Sequence, residues 1–188
     1  MSMKGFTLIE TLVAVTILML AIAGPLSAAN SALVSARVSH DQIIASYLAQ
    51  EGIEYVRSVR DSAYLSAYDT GDTSGAWNDF LTVAAVCRAT ASTPTKACSF
   101  DSIQATVSSC PSGVCPMLYL ETIGGVNYYT TAAGSVATPF RRSIQIKDVL
   151  DGSGAVVQND KQIVSVVTWS FHTIPHTVTV TDHLTPWE

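Results

Sequence analysis

The hydrophobic pattern changes character twice along the chain. From Leu8 to Gly24 the residues are apolar almost without a break, and no charge occurs between Glu10 and Arg37. A helix needs roughly 20 mostly apolar residues to cross the hydrocarbon core of a bilayer, so this stretch predicts a membrane-spanning helix. Gly24-Pro25 falls inside it. Proline removes a backbone donor and crowds the preceding turn, which predicts a kink or local melting there. Further on, Val34, Val38, Ala45, Leu48, Gly52, Val56 and Val59 recur at helical spacing, set against Arg37, Asp41, Gln50, Glu54, Arg57 and Asp61. That is an amphipathic continuation of the helix, ending near Arg60 to Ala63, with one apolar stripe to lay on a sheet.

Residues 63–116 have little periodicity and many small polar residues, and read as an irregular connection. Tyr68 to Gly75 is rich in turn formers, while Trp77, Phe80 and Leu81 are expected to dock on the core. After that the period becomes two. Met117–Glu121 and Val126–Thr130 flank Gly124-Gly125, a hairpin signal. Phe140, Arg142, Ile144 and Ile146 share one phase, with Arg141, Ser143, Gln145 and Lys147 on the other. Asp151 to Gly154 turns the chain. Ile163–Phe171 and His176–Leu184 follow, joined by a turn at Ile174-Pro175. The expected fold is α+β: one long helix, its first half transmembrane, its second packed on an antiparallel sheet of about four to five strands.

Composition sharpens this picture in three places. The chain is 48% hydrophobic and 13% charged, an excess of apolar residues that the first segment accounts for. A formal net charge of -5 with no Lys/Arg cluster excludes general nucleic-acid binding, because phosphate needs concentrated positive charge. The four cysteines, Cys87, Cys98, Cys110 and Cys115, all lie in the middle connection and suit two disulfides in an oxidising compartment. Pairing each with its near neighbour, Cys87 with Cys98 and Cys110 with Cys115, gives two local loops; three connectivities remain open, as do zinc ligation and free thiols. Neither arm has zinc-knuckle spacing. Asp69, Asp72 and Asp79 lack the spacing of a calcium loop, and His172, His176 and His183 read as surface strand residues. No nucleotide-binding, hydrolase or metalloprotease motif occurs, so no enzyme and no cofactor is expected.

Glu10 is the residue that carries function. A carboxylate in an apolar span costs roughly 2.5–3.5 kcal/mol at bilayer centre and less towards the edge, so it needs a partner. A secretory signal, with Ser27-Ala28-Ala29 as its cut site, has no use for it. Lys4-Gly5-Phe6-Thr7-Leu8-Ile9-Glu10 resembles the cleavage and methylation signature of type IV prepilins and of type II secretion pseudopilins. The resemblance implies a pilin-like fold with a leader of residues 1–5, cut after Gly5 on the cytoplasmic side by a prepilin peptidase, and N-methylation of Phe6. It implies that Glu10 pairs with the N-terminal amine of a neighbouring subunit in the filament. It further implies a core helix over 6–29, an amphipathic half over 30–62, the loop 63–116 and a sheet head over 117–188. Glu51-Gly-Ile-Glu-Tyr-Val-Arg57 and the closing stretch Val167-Thr-Trp169 to Trp187 resemble minor pilins. The subunit then waits in the cytoplasmic membrane, a single-pass protein with its N-terminus inside, and passes to an extracytoplasmic pilus through an assembly ATPase and platform protein. The alternatives are a pseudopilin of a secretion or DNA-uptake machine, and an anchored binding ectodomain that does not polymerise.

Overall fold

A computed structural model describes residue 5 and residues 7–90, 92–110, 112–133 and 136–187. The chain forms two compact units, Met1–Asp41 and Gln42–Glu188. The first helix, α1, runs Leu8–Thr70 and contributes to both. In the second unit it is followed by α2 (Ala76–Val83), a 3-10 turn (Ala84–Val86), and strands β1 (Ala97–Asp101), β2 (Thr106–Cys110), β3 (Met117–Ile123), β4 (Val126–Thr130), β5 (Val136–Leu150), β6 (Val156–Phe171) and β7 (Ile174–Leu184). The architecture is α+β, a long helix packed on an antiparallel sheet.

β5 organises the sheet. One of its edges pairs with β6, register Ile144 to Ser165 and Ile146 to Ile163, and β6 pairs onward with β7. Its other edge takes β3 near Arg141 and β1 at Ile144, so the remaining path reads β2-β1-β5-β3-β4. The alternation expected in β5 holds: Phe140, Arg142, Ile144 and Ile146 are buried, and the intervening residues are not. Ala45, Leu48, Ala49, Gly52, Ile53 and Val56 of α1 are buried as well, forming two apolar clusters with the inner residues of β1, β3, β5 and β6. Fully burying each Ile or Val side chain contributes on the order of 1.5–3 kcal/mol, and these clusters are the main attachment of helix to sheet.

Gly52 allows the close approach. A Cβ built there would run into Ser165 Oγ and stand 3.2 Å from Ser165 Cβ and 3.4 Å from Ile144 Cδ1. The apolar stripe is shorter than its spacing suggested, because Val34 is exposed and Asp41, placed on the polar side, is 6% exposed.

Several boundaries differ from expectation. α1 ends at Thr70, not near Arg60 to Ala63. Gly71, at φ +79°, closes it with paired bonds from Gly71 N–H to Tyr68 O and Asp72 N–H to Ala67 O. The turn-rich stretch is therefore the helix cap itself, and everything before it is compatible with helix. Residues 63–116 are not irregular throughout. They hold α2, where Trp77 and Phe80 are buried and Leu81 packs beside them, and the hairpin of β1 and β2, which brings the sheet to seven strands. The β6–β7 turn lies at His172-Thr173, with φ of +48° and +71°. Ile174 and Pro175 pair with Phe171 and Ser170 instead of turning. Proline is tolerated there because, among the described residues, β7 pairs with β6 alone, so an outward N–H is not needed. The β3–β4 turn stands where the glycines put it, at Gly124-Gly125 with φ of +59° and +82°.

Candidate assembly site

In the first unit the helix opens at Thr7. Its carbonyl accepts the Glu10 and Thr11 N–H groups at 3.1 and 3.2 Å, and its hydroxyl oxygen accepts Glu10 N–H at 3.4 Å. Thr7-x-x-Glu10 is thus the pattern of a capping box, an N-cap hydroxyl with an acid three residues on, which also sets a negative charge at the positive end of the helix dipole. The sequence contained this signal, although attention to the acid alone passes over it. Among the described residues the Glu10 carboxylate has no hydrogen-bond or ion-pair partner, and Glu10 is exposed. Gly5 is also exposed and non-helical. Phe6, the expected methylation site, and Lys4 of the expected leader lie outside the described residues.

The apolar side chains of this unit stand uncovered. Leu8 is 82% exposed and Leu20 76%, with Ile9, Leu12, Ile17, Leu18, Met19 and Ile22 more than half exposed. The most apolar window of α1 has mean hydropathy 2.2 and none of it is buried within the chain. The helix is long and apolar enough to cross a membrane, and lipid or other helices are what such a surface fits. Three of its hydroxyls bond back to the helix itself: Thr11 donates to Leu8 O, Thr16 to Val13 O and Ser31 to Ser27 O, at 2.8 to 3.1 Å. Each is satisfied without water.

Of the kink or local melting expected at Gly24-Pro25, the melting does not occur. Helical backbone passes through both residues, and Pro25 lies inside α1. A proline costs one N–H, here the one that would reach Ala21 O, and an otherwise strong apolar helix absorbs that loss without breaking. Charge returns only at Arg37, whose guanidinium lies 3.7 Å from Asp41, with His40 Nδ1 3.4 Å from the same carboxylate.

The second unit holds its chemistry in structural roles. Arg142, fully buried, donates through Nη1 to Glu51 Oε2 at 2.6 Å and to Leu48 O at 3.3 Å, and through Nη2 to Phe100 O at 3.0 Å. Its guanidinium carbon lies 3.7 Å over the Phe100 ring. Burial pushes this guanidinium down from its ordinary pKa, and Glu51 opposes the shift. Asp101 is buried too. Burial pushes its carboxyl up, but bonds from the Thr130 hydroxyl and the N–H groups of Gln104, Thr131 and Ile103 outweigh it and bring the group down to about 2. Lys161, 1% exposed, lies 3.2 Å from Asp148, which Arg88 also meets at 3.0 Å.

Cys87 is bonded to Cys98 and Cys110 to Cys115. The first disulfide ties the end of the 3-10 turn to β1, and the second closes the bend after β2. The three histidines expected on strands do not come together, and His172 lies in the β6–β7 turn: His183 meets Asp160 at 3.0 Å, His176 stacks on Trp169 and His172 on Phe171. Among the described residues no group of three or more His, Cys, Asp or Glu converges on a metal position. Asp72 is engaged by the Ser74 N–H and hydroxyl within its own turn.

A family model described as the prokaryotic N-terminal methylation motif matches residues 1–24. No curated protein and no solved structure matches the chain. The chain therefore carries a type IV pilin-like prepilin signature, placed at the head of an apolar helix long enough to anchor it in a membrane. Such a signature implies processing by a prepilin peptidase.

Proposed function

We propose that this chain is a structural subunit of a type IV pilus, a minor pilin that begins or tips the filament. The single observation that carries the reading is Glu10, an exposed carboxylate without a partner among the described residues, in the first turn of an uncovered apolar helix and inside the methylation motif. In the membrane the subunit holds its N-terminus in the cytoplasm. The peptidase cuts after Gly5, and the new amine at Phe6 is methylated. An ammonium and a carboxylate each lose much of their solvation in lipid, so the register joining the amine of one subunit to Glu10 of the next is the stable one. An assembly ATPase and a platform protein then move the subunit into an extracytoplasmic filament with other pilin subunits. No catalytic role is proposed. The resemblance of the β6–β7 region to minor pilins supports the finer assignment over a major subunit.

Mass spectrometry of the mature protein tests the processing: the expected N-terminus is N-methylated Phe6. Glu10→Ala tests the register. The variant should be cut and inserted normally but recovered in sheared filaments at a level at least about tenfold lower, the loss expected from removing one buried ionic contact of a few kcal/mol. Wild-type incorporation refutes the role of Glu10. Deletion that abolishes protein secretion while leaving pili intact moves the subunit to a type II secretion pseudopilus.

A further inference from the structure

The two ends of the second unit differ in charge. Gly52 of α1 lies beside Ile144 of β5 and Ser165 of β6, while the earlier Ala45 and Leu48 cluster with Phe140, Val167 and Trp169. β5 therefore runs in the sense of α1 and β6 against it. The start of β5 and the end of β6 share the end at which α1 enters the unit, at Gln42. β3 runs against β5, pairing Met117 with Arg141 and Leu120 with Val136, so the β3–β4 turn at Gly124-Gly125 lies beyond Val136 at that same end. Two hairpin tips, β3–β4 and β6–β7, thus stand where the helix comes in.

Neither tip carries a fixed charge. No Asp, Glu, Lys or Arg occurs between Glu121 and Arg141, or between Lys161 and Asp182. Aliphatic side chains are exposed there instead: Ile123 46%, Val126 53%, Val136 70% and Ile174 60%. Charge gathers towards the other end, in the Arg57–Asp182 and Lys161–Asp148 pairs and in the β5–β6 turn at Asp151. An uncharged end with apolar protrusions and an ionic far end is the polarity of a body resting on lipid.

The tether selects this occupant. Arg37 is the first charge after the apolar run of α1, and the stretch Arg37–Gln42 reaches at most roughly 18 Å even when fully extended. Where α1 crosses a bilayer, this end of the unit is held within reach of the headgroups, a layer of roughly 5–8 Å on each side of the hydrocarbon core. A protein partner fits less well. Four aliphatic side chains on separate protrusions make no continuous face, and a stable protein interface needs roughly 1,000 Å² of one. With no Lys or Arg at either tip, the contact is apolar and does not call for anionic lipid.

We propose that the β3–β4 and β6–β7 tips dip into the headgroup layer of the bilayer that α1 crosses, seating the second unit on the membrane through Ile123, Val126, Val136 and Ile174. The proposal rests on the reading of α1 as membrane-spanning.

The test uses the full chain reconstituted in phosphatidylcholine vesicles. All four cysteines are in disulfides, so one added thiol takes a fluorescent nitrobenzoxadiazole label. The label is placed in turn by Val126→Cys, Ile174→Cys, Ser153→Cys on the far turn, and Met19→Cys in the apolar helix. A nitroxide on the lipid headgroup should quench the labels at Val126 and Ile174 at least about twofold more than that at Ser153. The quenching should not change between about 0.05 and 0.5 M salt. Val126→Glu combined with Ile174→Glu should lower the quenching of a label at Val136→Cys at least about twofold, with circular dichroism unchanged. If a nitroxide deep in the acyl chains quenches Met19 while Val126 and Ile174 behave like Ser153, the seat is overturned and the span stands. An unquenched Met19 label overturns both. Tip quenching that varies with the protein-to-lipid ratio also overturns the proposal, and makes the tips a contact between protein chains.

Discussion

Arg142 and Glu51 offer the sharpest test of how helix and sheet are held. The guanidinium is fully buried, whereas the Glu51 side chain is 39% exposed. The two halves of the pair are therefore unequal. In Glu51→Gln a buried cation loses its counter-charge and keeps neutral acceptors, the new amide oxygen and the carbonyls of Leu48 and Phe100, with the ring of Phe100 and the field of Asp101. Breaking a buried pair in this way costs about 3–5 kcal/mol, and the residual partners place the expected loss near the lower figure, about 3 kcal/mol. In Arg142→Met the buried charge disappears, the stem volume is kept and Glu51 turns to water. The loss is then that of hydrogen bonds to two carbonyls less the desolvation recovered, about 1–2 kcal/mol. The double variant should match Arg142→Met alone, because once the cation is gone a neutral amide in place of the Glu51 carboxylate strands nothing. Trp77, Trp169 and Trp187 all lie in the second unit, so urea unfolding of the full chain in micelles, followed by tryptophan fluorescence, reads this unit directly. A larger loss in Arg142→Met than in Glu51→Gln, or strict additivity in the double variant, would refute the reasoning.

Three further outcomes are expected. Asp101 has a pKa depressed to about 2, so it stabilises the fold at pH values above the ordinary carboxylate range, and this contribution of about 2 kcal/mol is lost as pH falls from about 4 towards 2; Asp101→Asn should flatten acid unfolding in that window, and an unchanged pH profile counts against the network. Gly52→Ala should cost about 1–3 kcal/mol through the clash with Ser165. Ser165 Oγ is buried without a partner among the described residues, so Ser165→Ala should be nearly neutral and should recover part of the Gly52→Ala loss, which a thermal melt of the four species checks. Thr173→Gly should stabilise the β6–β7 hairpin by about 1 kcal/mol, since Thr173 holds φ +71° with a branched side chain; a lower melting temperature would show that the turn is not strained.

What was legible in the sequence follows from how far each signal reaches. The helix stripe and the phase of β5 are local periodicities, and both survive because a buried face imposes them residue by residue. The phase even carried Arg142 to the inner side of β5, but its partner Glu51 sits 91 residues earlier, beyond any periodic argument. β1 escaped detection for a related reason. All five of its residues are buried, polar ones included, so the strand shows no alternation, and its place against β5 rests on the single register Cys98 to Ile144. The β6–β7 turn was misplaced because Pro175 is a turn signal by composition, while the structure uses it on a strand with a free edge. The N-terminal motif was legible because its residues are contiguous, whereas the Thr7 cap on the same helical turn as Glu10 was passed over although it was equally local. The methylation motif matches residues 1–24 alone, and no curated protein matches the chain, so the recognisable signal is confined to the start of the chain. The second unit carries no comparable contiguous signal: its helix and sheet are joined by contacts between residues far apart in sequence, such as Glu51 with Arg142.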